Sequence, residues 1–277
     1  MLGAIIGDVA GSIYEVLEVN YKKEHQEHRP YEERIKILSQ DTPLFTDECS
    51  YTDDTVLTLA LYDAIKNGNK DYEKYLREYG NKEVSLGMDK YGRSRFGKGF
   101  VGWLNGDEGN SLGNGAAMRI SPVGYLFDNI DTIKRESKNA TIPSHNHIDS
   151  IKAAECISTS IYLLRNGYNK EKLKEYIENN YYKLDYDLED LQRNYTFSSK
   201  CIDSVPQSLF VFLKSESFED AIRKALSIGG DADTIAAIVG SLAESLYGIP
   251  DEIIINVKKY LTDEQLALLG TYYENML

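Results

Sequence analysis

Gly229-Gly230-Asp231-Ala232-Asp233-Thr234-Ile235-Ala236-Ala237-Ile238-Val239-Gly240-Ser241-Leu242-Ala243-Glu244-Ser245-Leu246-Tyr247-Gly248-Ile249-Pro250 is the stretch on which the fold turns. From Ile235 to Ala243 almost every side is apolar or small, which marks a helix buried all round at the centre of a bundle. Gly248-Ile249-Pro250 stops it. Gly229-Gly230 separates it from a preceding helix, in which Ser217 can N-cap a run carrying Ala221, Ile222, Ala225, Leu226 and Ile228, with Asp220 near the capping-box position.

The same period recurs along the chain. Val56, Leu57, Leu59, Ala60, Leu61, Ala64 and Ile65 form a broad apolar face that Asn67-Gly68 ends, and Ile148, Ile151, Ala154, Ile157, Ile161 and Leu164 recur at steps of three and four until Asn166-Gly167. Gly3, Gly7 and Gly11 are spaced to let a second helix approach the first closely. Alternating patterns are scarce, and no two-residue hairpin signal flanks alternating apolar runs. The expected fold is all-α, one domain over residues 1–277 without internal repeats. The Tyr- and Lys-rich stretch 169–200 is expected to form an outer helix plus loop, and 21–48 a long, mobile excursion.

The chain has 277 residues and a net charge of −13. That balance argues against a general polyanion binder, so no nucleic-acid partner is expected, although one local basic pocket for a phosphorylated ligand is compatible with it. Cys49, Cys156 and Cys201 are odd in number and lack CxxC spacing, as expected of buried reduced thiols in a cytosolic protein. Met1 to Asp8 lacks the basic start of a signal peptide, and no run approaches the roughly 20 apolar residues of a membrane span. A soluble, cytoplasmic monomer is expected, with no membrane partner.

Two acidic clusters carry the chemistry. Tyr51-Thr52-Asp53-Asp54-Thr55 and Gly229-Gly230-Asp231-Ala232-Asp233-Thr234 each place two carboxylates and a hydroxyl at the opening of an apolar helix, with few Lys or Arg nearby in sequence. Mid-helix, residues i and i+2 point about 200° apart (two steps of ~100°). At a helix start the cap residue is not helical, so both side chains can fold over the first turn. Two like charges ~4 Å apart at an effective dielectric of ~20 repel by about 4 kcal/mol, so converging carboxylates need protons or cations. Hard oxygen donors suit Mg²⁺, Mn²⁺ or Ca²⁺ better than zinc or copper. Simple N-capping explains any one of these Asp residues as well as a site does, but explains the two clusters together poorly. An EF-hand fails, because Ile235 occupies the third ligand position.

Other segments are weaker. Gly92-x-x-x-x-Gly97-Lys98-Gly99 lacks the Ser or Thr of a P-loop and has no preceding strand, so it is read as a flexible glycine-rich loop, with Arg93, Arg95 and Lys98 adding local positive charge. Ser111-Leu112-Gly113-Asn114-Gly115-Ala116-Ala117-Met118-Arg119 reads as a turn entering a buried segment, its glycines permitting positive φ and close approach to a ligand. Ser144-His145-Asn146-His147 is placed at a helix start, suited to capping or substrate contact rather than metal ligation, and Trp103 is assigned to the core.

Taken with Gly7-Asp8-Val9-Ala10-Gly11-Ser12-Ile13-Tyr14-Glu15, these segments resemble, in order and across nearly the whole chain, the ADP-ribosylglycohydrolase family. The resemblance implies a compact, multi-helix orthogonal bundle with a cleft holding two divalent cations, Mg²⁺ or Mn²⁺. It implies Thr52, Asp53, Asp54, Asp231, Asp233 and Thr234 as ligands, Glu15 as a mobile ligand or catalytic carboxylate beside Asp53 and Asp54, and Ser111, Leu112, Gly113, Asn114, Gly115 and His145 as contacts to ADP-ribose. Ile148 stands where the family often has Pro after His-Asn-His, a change expected to alter the loop more than the chemistry. The implied activity is hydrolysis of the bond from C1 of the terminal ribose to an ADP-ribosylated protein or small-molecule acceptor. The rival readings are a non-catalytic ADP-ribose or nucleotide-binding module and a structural helical protein with metal-stabilised caps.

Overall fold

In a computed structural model, residues 1–88, 92 and 94–273 are described. The first helices are α1 (Leu2–His25), α2 (Tyr31–Arg34), α3 (Asp53–Lys66), α4 (Tyr72–Ser85), α5 (Lys98–Leu104) and α6 (Gly115–Arg119). They are followed by α7 (Ser121–Leu126), α8 (Ile130–His145), α9 (Ile148–Arg165), α10 (Lys170–Asn180) and α11 (Leu188–Asn194). The chain continues through α12 (Cys201–Leu213), α13 (Phe218–Ser227), α14 (Ala232–Tyr247), α15 (Asp251–Val257) and α16 (Asp263–Gly270). No strand occurs among the described residues, only isolated bridges between Asn110 and His145 and between Gly113 and Lys200. The all-α expectation holds, and no described helix is long and apolar enough to cross a membrane.

α14 is the axis, buried from Ala232 to Ala243. α1 lies directly against it because glycines remove the side chains that would hold the two backbones apart. A Cβ on Gly7 would fall 2.0 Å from the Ala236 carbonyl oxygen. Gly3 and Gly240 meet reciprocally, a Cβ on either lying within 2.2 Å of the other's carbonyl oxygen. At the far end of the contact a Cβ on Gly11 would sit 2.4 Å from Asp233 Cα. This contact therefore fixes where the acidic start of α14 lies relative to α1.

Three expectations need correction. Residues 21–48 are not a loose excursion: α1 runs to His25, α2 and a 3₁₀ turn (Ile35–Leu38) follow, and Arg34, Ile37 and Leu44 are buried. Two buried arginines anchor the segment, one from outside and one from within. Arg223 Nη1 donates to the carbonyls of Ile37 (2.7 Å), Ser39 (3.1 Å) and Thr42 (2.9 Å). Arg34 pairs with Glu18 (2.9 Å) and donates to the Tyr195 carbonyl (2.8 Å). Backbone satisfied by distant side chains leaves no periodic mark in its own sequence. Residues 169–200 hold two helices, α10 and α11, each begun by a capping Asn169 or Asp187. Ser144 and His145 end α8 rather than start a helix; only His147 caps α9, accepting from Asp149 N at 3.2 Å.

Candidate metal centre and cleft

α3 begins at Thr52, whose hydroxyl accepts from the Asp54 amide (3.4 Å), so Asp53 and Asp54 stand in its first turn. Gly229 and Gly230 both adopt left-handed φ (69° and 73°), which turns the chain sharply into α14. Asp231 occupies the N-cap position, yet its carboxylate makes no capping bond. It accepts instead from Asn114 Nδ2 at 2.7 Å. That departure from capping is what a site requires and a plain cap does not.

Two three-carboxylate groups result. Asp8, Asp54 and Asp233 bring ligand atoms within 4.8 Å of one another, as do Glu15, Asp231 and Asp233. Asp233 belongs to both. Asp54 Oδ1 is buried without a hydrogen-bond partner among the described residues, and Thr234 Oγ1 donates to Asp54 Oδ2 at 3.4 Å. An all-oxygen donor set with a buried unpaired carboxylate oxygen fits a hard divalent cation.

Asp8 was not foreseen as a site residue. It is fully buried and accepts from Thr52 N (2.9 Å), Thr52 Oγ1 (2.6 Å), Thr55 N (3.1 Å) and the Thr55 hydroxyl. It thus closes the amino end of α3 from another helix. Its one local signal was a lone carboxylate within the apolar run Met1–Ala10. Asp53, by contrast, belongs to neither three-carboxylate group, although it lines the cleft.

The carboxyls raise one another's pKa values. Burial, then Asp8 and Glu15, push Asp53 up to about 8. Burial and Glu15 push Asp231 to about 7, and Asp54 and Asp233 rise well above the usual range through burial and neighbouring carboxylates. Between about pH 4 and pH 8 the folded chain therefore holds protons that the unfolded chain has released, since the ordinary Asp value is 3.8. Stability falls as pH rises through that window. In chelator the melting temperature should be higher near pH 5 than near pH 8, and Mg²⁺ or Mn²⁺ should raise it more near pH 8. A flat or rising profile in chelator would contradict the convergence of these charges.

A cleft of about 710 Å³ opens over the carboxylates. Glu15, Thr52, Asp53, Asp54, Asp231, Asp233 and Thr234 line it, as do Ser111, Gly113, Asn114, Gly115 and His145. Leu112 is not among the lining residues: its side chain is exposed and its carbonyl accepts from Cys201 N at 3.1 Å. Neither Gly113 nor Gly115 takes a positive φ. At Gly115 the need is space, since a Cβ there would lie 2.9 Å from His145 Nε2. Trp103 is buried, as expected, and also reaches the cleft wall with Phe96, Phe100 and Phe197. Of the glycine-rich segment, Arg93 lies outside the described residues. Arg95 is held by Glu83 (2.5 Å) and stacked on Tyr51, while Lys98 starts α5.

The bundle thus brings hard oxygen donors from the starts of two helices and one face of a third together beside one cleft, which sets it apart from a plain helical scaffold. The chain is a member of the ADP-ribosylglycohydrolase family, whose profile matches residues 1–275. It is 26% identical to the ADP-ribosylarginine hydrolase Tri1 of Pseudomonas putida (strain GB-1), an alignment covering 90% of this chain and 70% of that protein. It is 25% identical to the ADP-ribosyl-[dinitrogen reductase] glycohydrolase of Rhodospirillum rubrum over 72% of this chain and 70% of that one. Against the ADP-ribosylhydrolase ARH3 of Mus musculus the identity is 21%, over 90% and 83%. A solved ADP-ribosylglycohydrolase-related protein complex superposes with a TM-score of 0.68 at 21% identity, covering 100% of this chain and 96% of that one, which supports the fold.

Proposed function

We propose that this protein hydrolyses the bond between C1 of the terminal ribose of ADP-ribose and an acceptor, with arginine as the acceptor and two divalent cations, Mg²⁺ or Mn²⁺, as cofactors. The observation that carries this is the pair of three-carboxylate groups sharing Asp233, of which Glu15, Asp54, Asp231 and Asp233 line a cleft large enough for a nucleotide-sized ligand while Asp8 lies buried behind it. Asp54, Asp231, Asp233 and Glu15, with the hydroxyls of Thr52 and Thr234, would hold the cations, and Asp53 would stand beside them. Such cations, when bound, supply charge for gripping ribose hydroxyls and make water a better nucleophile.

The chain's own residues do the rest. Glu15 or Asp53, both on the cleft wall, would take the proton of the attacking water as its oxygen bonds to C1. The bond from C1 to the acceptor nitrogen would break through an oxocarbenium-like transition state, its electron pair leaving with nitrogen, and the carboxylate would pass the proton taken from water to that nitrogen. The turn 111–115 and His145 would hold the ADP-ribose.

Arginine is favoured by the cleft rim, where Asp107 and Glu108 are exposed and line the opening. Two carboxylates suit a guanidinium leaving group. The test is release of free ADP-ribose from arginine-linked and serine-linked substrates, with and without chelator. Hydrolysis of the arginine substrate that chelation abolishes is expected. Binding of ADP-ribose with no turnover of either substrate would favour a non-catalytic module. The double variant Asp107→Asn, Glu108→Gln should raise KM for the arginine substrate by roughly threefold or more and leave kcat close to wild type. An unchanged KM would remove the rim from acceptor recognition.

A further inference from the structure

His145 is buried at the end of α8, and its ring reaches the cleft between Gly113 and Gly115. Its Nδ1 lies 2.8 Å from Ser144 Oγ, and Ser144 Oγ accepts from Arg119 Nη2 at 2.8 Å. Arg119 is wholly buried and can only donate. A serine hydroxyl has one proton. If it accepted from both Arg119 and an Nδ1–H, that proton would have no acceptor, because these are its two side-chain partners among the described residues. A buried unmet donor costs about 1–3 kcal/mol. The arrangement without that cost has Ser144 donating to a bare Nδ1, which leaves the imidazole proton on Nε2.

Burial and the neighbouring Arg119 charge both hold His145 well below its ordinary pKa, so the ring stays neutral. No described residue accepts a hydrogen bond from Nε2, the atom against which a Cβ on Gly115 would collide at 2.9 Å. We infer that Arg119 and Ser144 are positioning residues that fix His145 as the Nε2–H tautomer, so that the ring presents a donor to an acceptor oxygen of the molecule bound in the cleft. A proton-transfer role for His145 is thereby disfavoured. The second half of the inference rests on the cleft being an ADP-ribose site; the tautomer does not.

Two readouts separate these. Long-range ¹H–¹⁵N spectra of the full chain with labelled histidine, in chelator and without ligand, should show a protonated Nε2 and a bare Nδ1 for the signal that His145→Gln removes. An Nδ1–H tautomer or an imidazolium at neutral pH would overturn the inference. Affinity for free ADP-ribose, measured by calorimetry with Mg²⁺ present, should fall about tenfold in Ser144→Ala, the size of one lost hydrogen bond, and the tautomer signature should become mixed. Ser144→Thr should restore both. His145→Gln, which keeps an amide donor near Nε2, should bind ADP-ribose more tightly than His145→Ala; equal weakening would count against a donor role. Absence of ADP-ribose binding by the wild-type protein, with the expected tautomer present, would reject the functional reading while supporting the tautomer.

Discussion

If the proposed activity holds, Asp54→Asn should lower turnover of an ADP-ribosylated substrate by roughly three orders of magnitude and at the same time raise the melting temperature of the chelated protein. The two effects have one cause. Asp54 is 2% exposed, sits in a three-carboxylate group with Asp8 and Asp233, and has one oxygen with no hydrogen-bond partner among the described residues. Without cations its charge is unfavourable, and burial with Asp8 and Asp233 pushes its pKa far up. An amide of the same shape removes that cost and can donate to a neighbouring carboxylate. A gain of about 1–2 kcal/mol corresponds to roughly 2–6 °C. The same substitution takes away an anionic ligand, so Mg²⁺ should stabilise the variant less than the wild type. Wild-type turnover, or an equal loss of melting temperature with and without Mg²⁺, would refute the assignment. Such a trade is expected where a site is built from groups that destabilise the fold.

Gly7→Ala disrupts the protein at its centre. The added methyl would lie 2.0 Å from the Ala236 carbonyl oxygen, a backbone atom that cannot rotate away. α1 and α14 must separate, at a cost of about 3 kcal/mol, which lowers the melting temperature by roughly 5–10 °C. Because Asp8 and Glu15 ride on α1 while Asp231 and Asp233 open α14, separation also spreads both three-carboxylate groups. The variant should therefore lose Mg²⁺-dependent stabilisation as well as stability. Gly68→Ala offers a control, since nothing lies within 4 Å of its Cβ position, although its positive φ adds a local strain of its own. A Gly7→Ala protein with unchanged melting temperature would show that the helices do not touch as described.

Much of the site was legible because helix starts are local events. Thr52 to Asp54 and Asp231 to Thr234 announce themselves by composition, by the glycines before the second cluster and by the apolar run after each. The turn at Gly113 and Gly115 was legible in place but not in reason: neither takes a left-handed backbone, and glycine at 115 clears room for His145. The order of segment 21–48 is not legible in sequence because Arg223 of α13 holds its carbonyls while its own Arg34 is anchored outward to the Tyr195 carbonyl, and neither arginine looks unusual in sequence.

From the linear order of residues alone came the helical class, the central buried helix, the close-approach glycines and the two acidic openings, each marked by a residue pattern that repeats or clusters within a few positions along the chain. Tertiary structure alone decided that Asp8 would close the amino end of α3, that Asp233 would be shared between two carboxylate groups, and that Arg119 and Ser144 would orient His145. These depend on which helix faces meet. Asp8 is 44 positions from Thr52 and Arg119 is 25 from Ser144, and such residues acquire their roles only when packing desolvates them together, where a carboxylate's charge or a ring's proton becomes costly enough to be positioned.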